Sequence, residues 1–431
     1  MREMKDSGIE WIGQVPNNWK LKKGKYLFKQ HNNRGNLKCL QLLSPSQKFG
    51  VIPQTLLEEL TTQNVVKVSE KANLNDFKTV HAGDFCISLR SFQGGFEYSR
   101  YEGGVSPAYQ IFSAIGDNLC DGYYRYLFKD KSFIDKMNSY TMTLRDGKNI
   151  AFDDFGNTYI PVPPKYEQEK IAGFLDSQCS EIDAISADIQ KEIETLEQYK
   201  RSVITEAVTK GLNPDVEMKN SGLRWCEKIP ATWEMIPAKY LFHNSDTRKF
   251  PNDELLTASQ KYGLISQTDY MKRENAKIVL ANAGIENWKH VEPNDFVISL
   301  RSFQGGLEMS EISGCVTWHY VVLRAAQKVF QRYYKWLFKS SKYINALQAT
   351  CNFIRDGQDL RFSNFAKVPL FIPPYKEQCE IAAYLDEKTN AIDAVMQSKK
   401  KQLEVLDSYK KSLIYEYVTG KKEVPIWKSN T

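Results

Sequence analysis

The side chains best suited to chemistry sit in one hexapeptide written twice. Arg90-Ser91-Phe92-Gln93-Gly94-Gly95 returns as Arg301-Ser302-Phe303-Gln304-Gly305-Gly306, inside blocks 84–97 and 295–308 that differ only at 86/297 and 96/307. A guanidinium forks onto guanine O6 and N7, a Gln amide onto adenine N6 and N7, and Ser is more permissive, so this loop suits base reading or phosphate gripping. Paired glycines let the backbone take positive φ and approach a partner closely. The bland alternative is a tight turn whose Arg pairs with an internal carboxylate such as Glu97 or Glu308.

Two further loops are repeated with altered tips. Arg145-Asp146-Gly147-Lys148-Asn149 matches Arg355-Asp356-Gly357-Gln358-Asp359, with Arg361 at the place of Ala151. Asp-Gly signals a turn, and a kept frame with a changed tip is what two readers of related but unequal targets need. Ser106-Pro107-Ala108-Tyr109 becomes Thr317-Trp318-His319-Tyr320, a bulkier surface with different hydrogen bonding, or simple loop drift.

Catalytic patterns do not emerge. Thr419-Gly420-Lys421 lacks the upstream glycine of a phosphate-binding loop, and no dinucleotide fingerprint is present. The five histidines (31, 81, 243, 290, 319) are scattered, with no ligand spacing for a metal. Ile372-Pro373-Pro374-Tyr375 resembles the Asn-Pro-Pro-Tyr of amino-methyltransferases, but Ile stands where the amine-binding Asn is required. The chain is therefore expected to catalyse nothing by itself and to hold no metal.

The duplication extends to the elements that must position these loops. Ser7-Gly8-Ile9-Glu10-Trp11 with Trp19 matches Ser221-Gly222-Leu223-Arg224-Trp225 with Trp233, and Glu167-Gln168 with Leu175-Asp176 matches Glu377-Gln378 with Leu385-Asp386. The offset drifts from 214 (11 to 225) to 210 (167 to 377), so a few short loop indels separate two copies of one fold. A period this long is a domain with its linker rather than a solenoid repeat. Phe85–Leu89 and Phe296–Leu300 read as strands, each preceded by an acidic turn residue.

From Tyr166 to about Lys210, apolar residues at 171, 175, 182, 185, 189, 193, 196 and 203 keep heptad-like spacing, and 381, 385, 392, 395, 403, 406 and 413 repeat it. Pro163-Pro164 before the first stretch, and Gly211 with Asn213-Pro214 after it, mark its ends. Each helix spans about 65 Å at 1.5 Å per residue. Neither buries its stripe alone, so the two are expected to pack antiparallel. The fold class is α/β (α+β): two β-rich domains separated by long antiparallel coiled-coil helices in a pseudo-twofold repeat. The expected boundaries are 1–164, 165–211, 212–374 and 375–423.

Composition is consistent with this. The 431 residues carry a net charge of +6, a weak pointer to nucleic acid by itself. No run of about 18 apolar residues suggests a membrane span. All eight cysteines face a different residue in the other copy, so they read as reduced core thiols in a cytoplasm rather than as zinc ligands or a disulfide framework.

The motifs resemble one family across nearly the whole chain. Met4-Lys5-Asp6-Ser7-Gly8-Ile9-Glu10-Trp11-Ile12-Gly13, Ile160-Pro161-Val162-Pro163-Pro164 leading to Glu167-Gln168, and Gly211-Leu212-Asn213-Pro214-Asp215-Val216 are similar to the specificity subunits of type I restriction-modification systems. The resemblance implies two target-recognition domains, each reading half of a split site in double-stranded DNA. Paired helices would set the unread gap and dock DNA adenine methyltransferase subunits, two of them in the expected complex. S-adenosylmethionine, ATP and Mg would serve those subunits and a separate motor and nuclease subunit, with no cofactor bound by this chain. The competing reading is a stand-alone bipartite DNA-binding or scaffold protein.

Overall fold

The computed structural model describes residues 2–34, 41–61, 74–88, 95–140, 150–275, 284–299, 306–350 and 360–425. The chain forms two compact units, Met1–Ile189 with Lys401–Thr431, and Gln190–Lys400. The central helix Lys165–Lys210 and the C-terminal helix Tyr375–Val418 each give residues to both.

The first unit is built on an antiparallel sheet in the order Phe28–His31, Gln110–Ala114, Phe85–Ile87, Phe96–Tyr98. Phe28 meets Phe85, Phe112, Tyr124 and Phe128 edge-on, at ring separations of 5.1–5.9 Å, and all five are buried. Edge-to-face contact sets the ring quadrupoles favourably, so this cluster fixes the helices Asp121–Leu127 and Lys131–Ser139 against the sheet. A smaller antiparallel pair joins Lys78–Val80 to Gly103–Val105.

The second unit repeats the order with Phe242–Ser245, Val321–Ala325, Phe296–Ile298 and Glu308–Met309, and Phe242 takes the place of Phe28 against Phe296, Tyr334 and Phe338. Its smaller pair is Lys289–Val291 with Gly314–Val316.

Both units fasten the helices in the same way. In the first, the buried Gln168 accepts from the Cys120 amide at 2.8 Å and donates to the Pro163 carbonyl at 2.8 Å. Its neighbour Glu167 accepts from the Trp19 indole at 2.8 Å, from Arg2 at 2.6 Å and from Asn18 at 2.9 Å. Partial burial alone would raise the Glu167 pKa, but hydrogen bonds from Arg2, Trp19 and Asn18 bring it below the usual carboxylate value. Tyr123 donates to the Val418 carbonyl at 2.6 Å, capping the end of the C-terminal helix. In the second unit Gln378 bonds Phe330 and Pro373, Glu377 holds Trp233, and Tyr333 caps Val208.

Within the first unit Asp183–Lys410 and Phe174–Tyr417 bring the helix segments together antiparallel. Glu192–Lys399 and Lys200–Asp393 do so in the second. The stripe is buried where the domains cover it, as at Ile171, Leu175, Ile204 and Leu385. It is less covered midway: Ile185 and Val395, expected inside the seam, are 43% and 47% exposed. Gly211 and Gly420, both with positive φ, end the two helices, so Thr419-Gly420 is a helix stop.

Gly306 is buried at φ +79°, and a Cβ added there would lie 2.1 Å from the Phe338 carbonyl oxygen. Gly8, at φ +68°, has nothing near. Gly306→Ala is therefore expected to cost about 2 kcal/mol or more and Gly8→Ala about 1 kcal/mol. Thermal unfolding of the two variants checks this, and equal losses would refute the tight approach.

Candidate nucleic-acid interface

The hexapeptide loops, and the loops carrying Arg145, Lys148 and Asn149 or Arg355 and Gln358, lie outside the described residues: Arg90, Ser91, Gln93, Gly94, Arg301, Ser302, Gln304 and Gly305 among them. Their roots are described. In the first unit Ser88 donates to the Gly95 carbonyl at 2.8 Å, closing the stem of the hexapeptide loop. Gln110 pairs in register with Ile87, and its side chain bonds the Ile150 carbonyl and the Phe152 amide, each at 2.8 Å. Three loops, 89–94, 106–109 and 141–149, thus root at one end of one sheet. In the second unit Ile298 pairs with Val321, so the strand end that leads into loop 300–305 lies beside the end of turn 317–320. Leu360 is buried in that unit's core, and Arg361, at the start of the next helix, is exposed.

The divergent turns keep one frame. Tyr109 donates its amide to the Ser106 carbonyl at 3.1 Å, and Tyr320 to Thr317 at 3.0 Å. Both tyrosine rings pack inward on small clusters of buried residues. The tips, Pro107-Ala108 and Trp318-His319, are exposed, and the Trp318 and His319 rings stack with centroids 3.5 Å apart. Gly95 and Gly306 are buried.

Sequence reading missed the cations beside these turns. Arg34 faces Lys78 across an antiparallel bridge, Arg248 faces Lys289 in the same way, and each lysine pairs in register with the valine that precedes the turn, Val105 or Val316. A cleft of about 400 Å³ in the second unit is lined by Asp246, Arg248, Asn287, Lys289 and Trp318. No motif marks these pairs, because Lys78 comes 44 positions after Arg34 and Lys289 comes 41 after Arg248. The usable signal was the repeat itself, which puts Arg at 34 and 248 and Lys at 78 and 289.

Two readings need correction. Glu97 is held at 2.7 Å by Lys129, in the turn between the helices Asp121–Leu127 and Lys131–Ser139, and Glu308 by Lys339, the last residue of the helix Gln331–Lys339. The histidines are not all apart in space: His31 and His81 both face Asp84, at 3.3 and 3.5 Å. Asp295, the counterpart of Asp84, instead receives three hydrogen bonds from Arg324, two from Nε and one from Nη2. Among the described residues no group of three or more His, Cys, Asp or Glu could hold a metal ion. The described cysteines are free thiols, and no described helix is long and apolar enough to cross a membrane.

The arrangement defines a class: a duplicated α/β protein that carries, beside one end of each sheet, a turn with an exposed tip and an exposed arginine near it. The chain belongs to the type I restriction modification DNA specificity domain family, which matches residues 16–195 and 230–405. It is 24% identical over 288 residues to the type I restriction enzyme MjaVIII specificity subunit of Methanocaldococcus jannaschii, covering 63% of each chain. It is 22% identical over 279 residues to a second protein of that organism, provisionally named the MjaX specificity subunit of a type I restriction enzyme. That match covers 62% of this chain and 59% of the relative, so the chain spans about three fifths of the length of these relatives.

Among solved structures, a chain described in the assembly and conformational transition of the type I R-M system superposes with a TM-score of 0.69 at 13% identity, over 95% of this chain and 99% of that one. The HsdS subunit from Thermoanaerobacter tengcongensis gives 0.50, also at 13% identity, over 95% and 98%. These likenesses establish the fold.

Burial pushes the Glu97 pKa up to about 7, more than Lys129 offsets, and Glu308 is raised in the same way. The unfolded carboxyl loses its proton first as pH rises from about 4.5, so over that window the native state binds more protons and this group's contribution to stability declines until about pH 7. Glu97→Gln is expected to gain stability relative to the parent between pH 5 and pH 8. Urea unfolding at both pH values checks it, and an unchanged difference would show an unperturbed carboxyl.

The exposed tips give a second expectation. Replacing Trp318-His319 by Pro-Ala, the pair at 107–108, should alter the sequence recognised without lowering the melting temperature, and an unchanged target sequence would refute a reading role for the tip.

Proposed function

We propose that this chain is the sequence-specificity subunit of a type I restriction-modification complex, itself non-catalytic, that directs adenine methylation and DNA cleavage to a bipartite site in double-stranded DNA. The observation that carries the reading is the pair of equivalent sheets whose turns share a frame and differ at their exposed tips, in a chain of the DNA specificity domain family. Two similar frames with unlike tips suit two unlike half-sites.

In this reading the target-recognition domains occupy 1–164 and 212–374. The helices 165–211 and 375–423 set the unread gap and carry two methyltransferase subunits. The hexapeptide loops, with Arg90, Gln93, Arg301 and Gln304, grip DNA in both domains, and the turns at 107–108 and 318–319 distinguish the half-sites. S-adenosylmethionine would be bound by the methyltransferase, and ATP and Mg by a motor and nuclease subunit, all in the cytoplasm. The modest net charge of +6 fits a subunit that shares its hold on phosphates with partners.

Genome-wide mapping of methylated adenine, in cells expressing the methyltransferase subunit with and without this chain, tests the proposal. A split motif that appears only with this chain is expected. Methylation independent of the chain would overturn the reading and leave a stand-alone binder.

A further inference from the structure

We infer that Arg248 reads a guanine in the half-site of the second domain, with Asn287 fixing its guanidinium and Trp318 walling the cleft, and that the first domain lacks an equivalent reader. The inference rests on the DNA-specificity reading above and deepens it by naming a base and a domain.

The argument begins with two equivalent cation pairs that are deployed differently. In the first unit the Lys78 ammonium turns inward and donates to the Tyr109 carbonyl at 2.7 Å, beneath the turn. Lys78 is 9% exposed, and burial, followed by the nearby Arg34, lowers its pKa. Arg34 stands with its side chain 57% exposed and only a 3.7 Å ion pair to Asp76, itself 56% exposed. No short hydrogen bond among the described residues fixes the direction of its fork.

In the second unit the lysine turns to a different partner and stays mostly covered, its side chain 17% exposed. Asp246 occupies the place of Asn32, and its carboxylate takes the Lys289 ammonium at 2.9 Å. Asn287 occupies the place of Asp76, and its amide oxygen accepts from Arg248 Nη1 at 2.5 Å. A neutral amide orients the guanidinium while leaving its charge and remaining donors for a ligand, whereas a carboxylate would neutralise it. The result is an open cleft of about 400 Å³ with a positioned Arg, a Lys beside it and the half-exposed Trp318 as an apolar wall.

The ligand follows from the donors. A planar fork with donors on one edge matches the O6 and N7 acceptors that guanine presents in the major groove, whereas adenine presents a donor at N6. The cleft adjoins turn 317–320, beside the root of loop 300–305. A base edge met there lies within the cluster of loops assigned to DNA.

The test compares Arg248→Ala, Arg248→Lys and Arg34→Ala in the full chain co-expressed with its methyltransferase, by methylated-adenine mapping, with binding to duplexes substituted at each motif position. Arg248→Ala should relax one guanine position in one half-site, lowering discrimination there roughly ten- to a hundredfold while the other half-site is unchanged. Arg248→Lys should restore charge without the fork and recover little discrimination. Asn287→Ala should weaken discrimination at that position less than Arg248→Ala does, with no change in melting temperature.

If Arg248→Ala weakens binding equally for all sequences and flattens the salt dependence by about one ion, Arg248 is a phosphate contact and the inference fails. It fails equally if Arg34→Ala relaxes a guanine in the other half-site, because the domains would then read alike. A parent chain that yields no split motif would instead overturn the functional reading itself.

Discussion

The structure depends on the locking of a long helix to a reading domain at its first turn. A helix over 40 residues long turns a small rotation at its base into a large displacement at its far end, so the joint must be stiff. Gln168 and Gln378 supply that stiffness from buried positions, each satisfying a domain amide and a proline carbonyl with one side chain. Buried amides with full complements of partners have few alternative geometries. Glu167 and Glu377 add the Trp19 and Trp233 indoles, and Tyr123 and Tyr333 hold carbonyls at the ends of the C-terminal and central helices. Each domain is therefore clamped to the start of the helix that follows it and to the end of the other one. The compact units consequently do not follow chain order: Lys401–Thr431 closes the unit that begins at Met1.

Behind the loops, the sheets are stiffened by a different device. Glu97 and Glu308 are buried carboxylates facing Lys129 and Lys339, which tie the strands at the loop stems to the helices packed behind. Burial disfavours their charge and the lysines only partly restore it, so these pairs contribute little to stability. What they supply is a fixed register for the strands that carry the hexapeptide loops. The same device in both copies, beneath turns that differ, separates the frame from the part that discriminates.

How much of this was legible in the sequence depended on whether the signal was local. The Phe85 and Phe296 strands, both long helices and the Gly211 stop followed from periodicity and turn chemistry within short windows. Ile185 and Val395 misled because periodicity identifies a face but cannot say how far along the helix that face is covered. Glu97 misled because its partner, Lys129, comes from an inter-helix turn 32 residues later rather than from the neighbouring loop. The Arg34/Lys78 and Arg248/Lys289 pairs were illegible for a similar reason. They are made by cross-strand pairing over more than 40 residues, and the repeat offset slips from 214 to 211 between the arginine and the lysine.

That slip marks where the two copies diverge in the partners of equivalent cations. At 32/246 an amide is exchanged for a carboxylate, and the neighbouring lysine changes from a prop of the turn at Tyr109 to a partner of Asp246 beside Arg248. At 76/287 the exchange runs the other way, and the arginine gains a neutral partner in place of an acidic one. Net charge at the cluster is unchanged by the two exchanges taken together, since one carboxylate is lost where another is gained. What changes is the partner of each cation and how firmly the exposed arginine is aimed. Both exchanges fall on exposed positions outside the aromatic core, so they re-aim charge without disturbing Phe28, Phe242 or the rings around them. A duplicated frame can acquire a second specificity by that route at little cost to its fold.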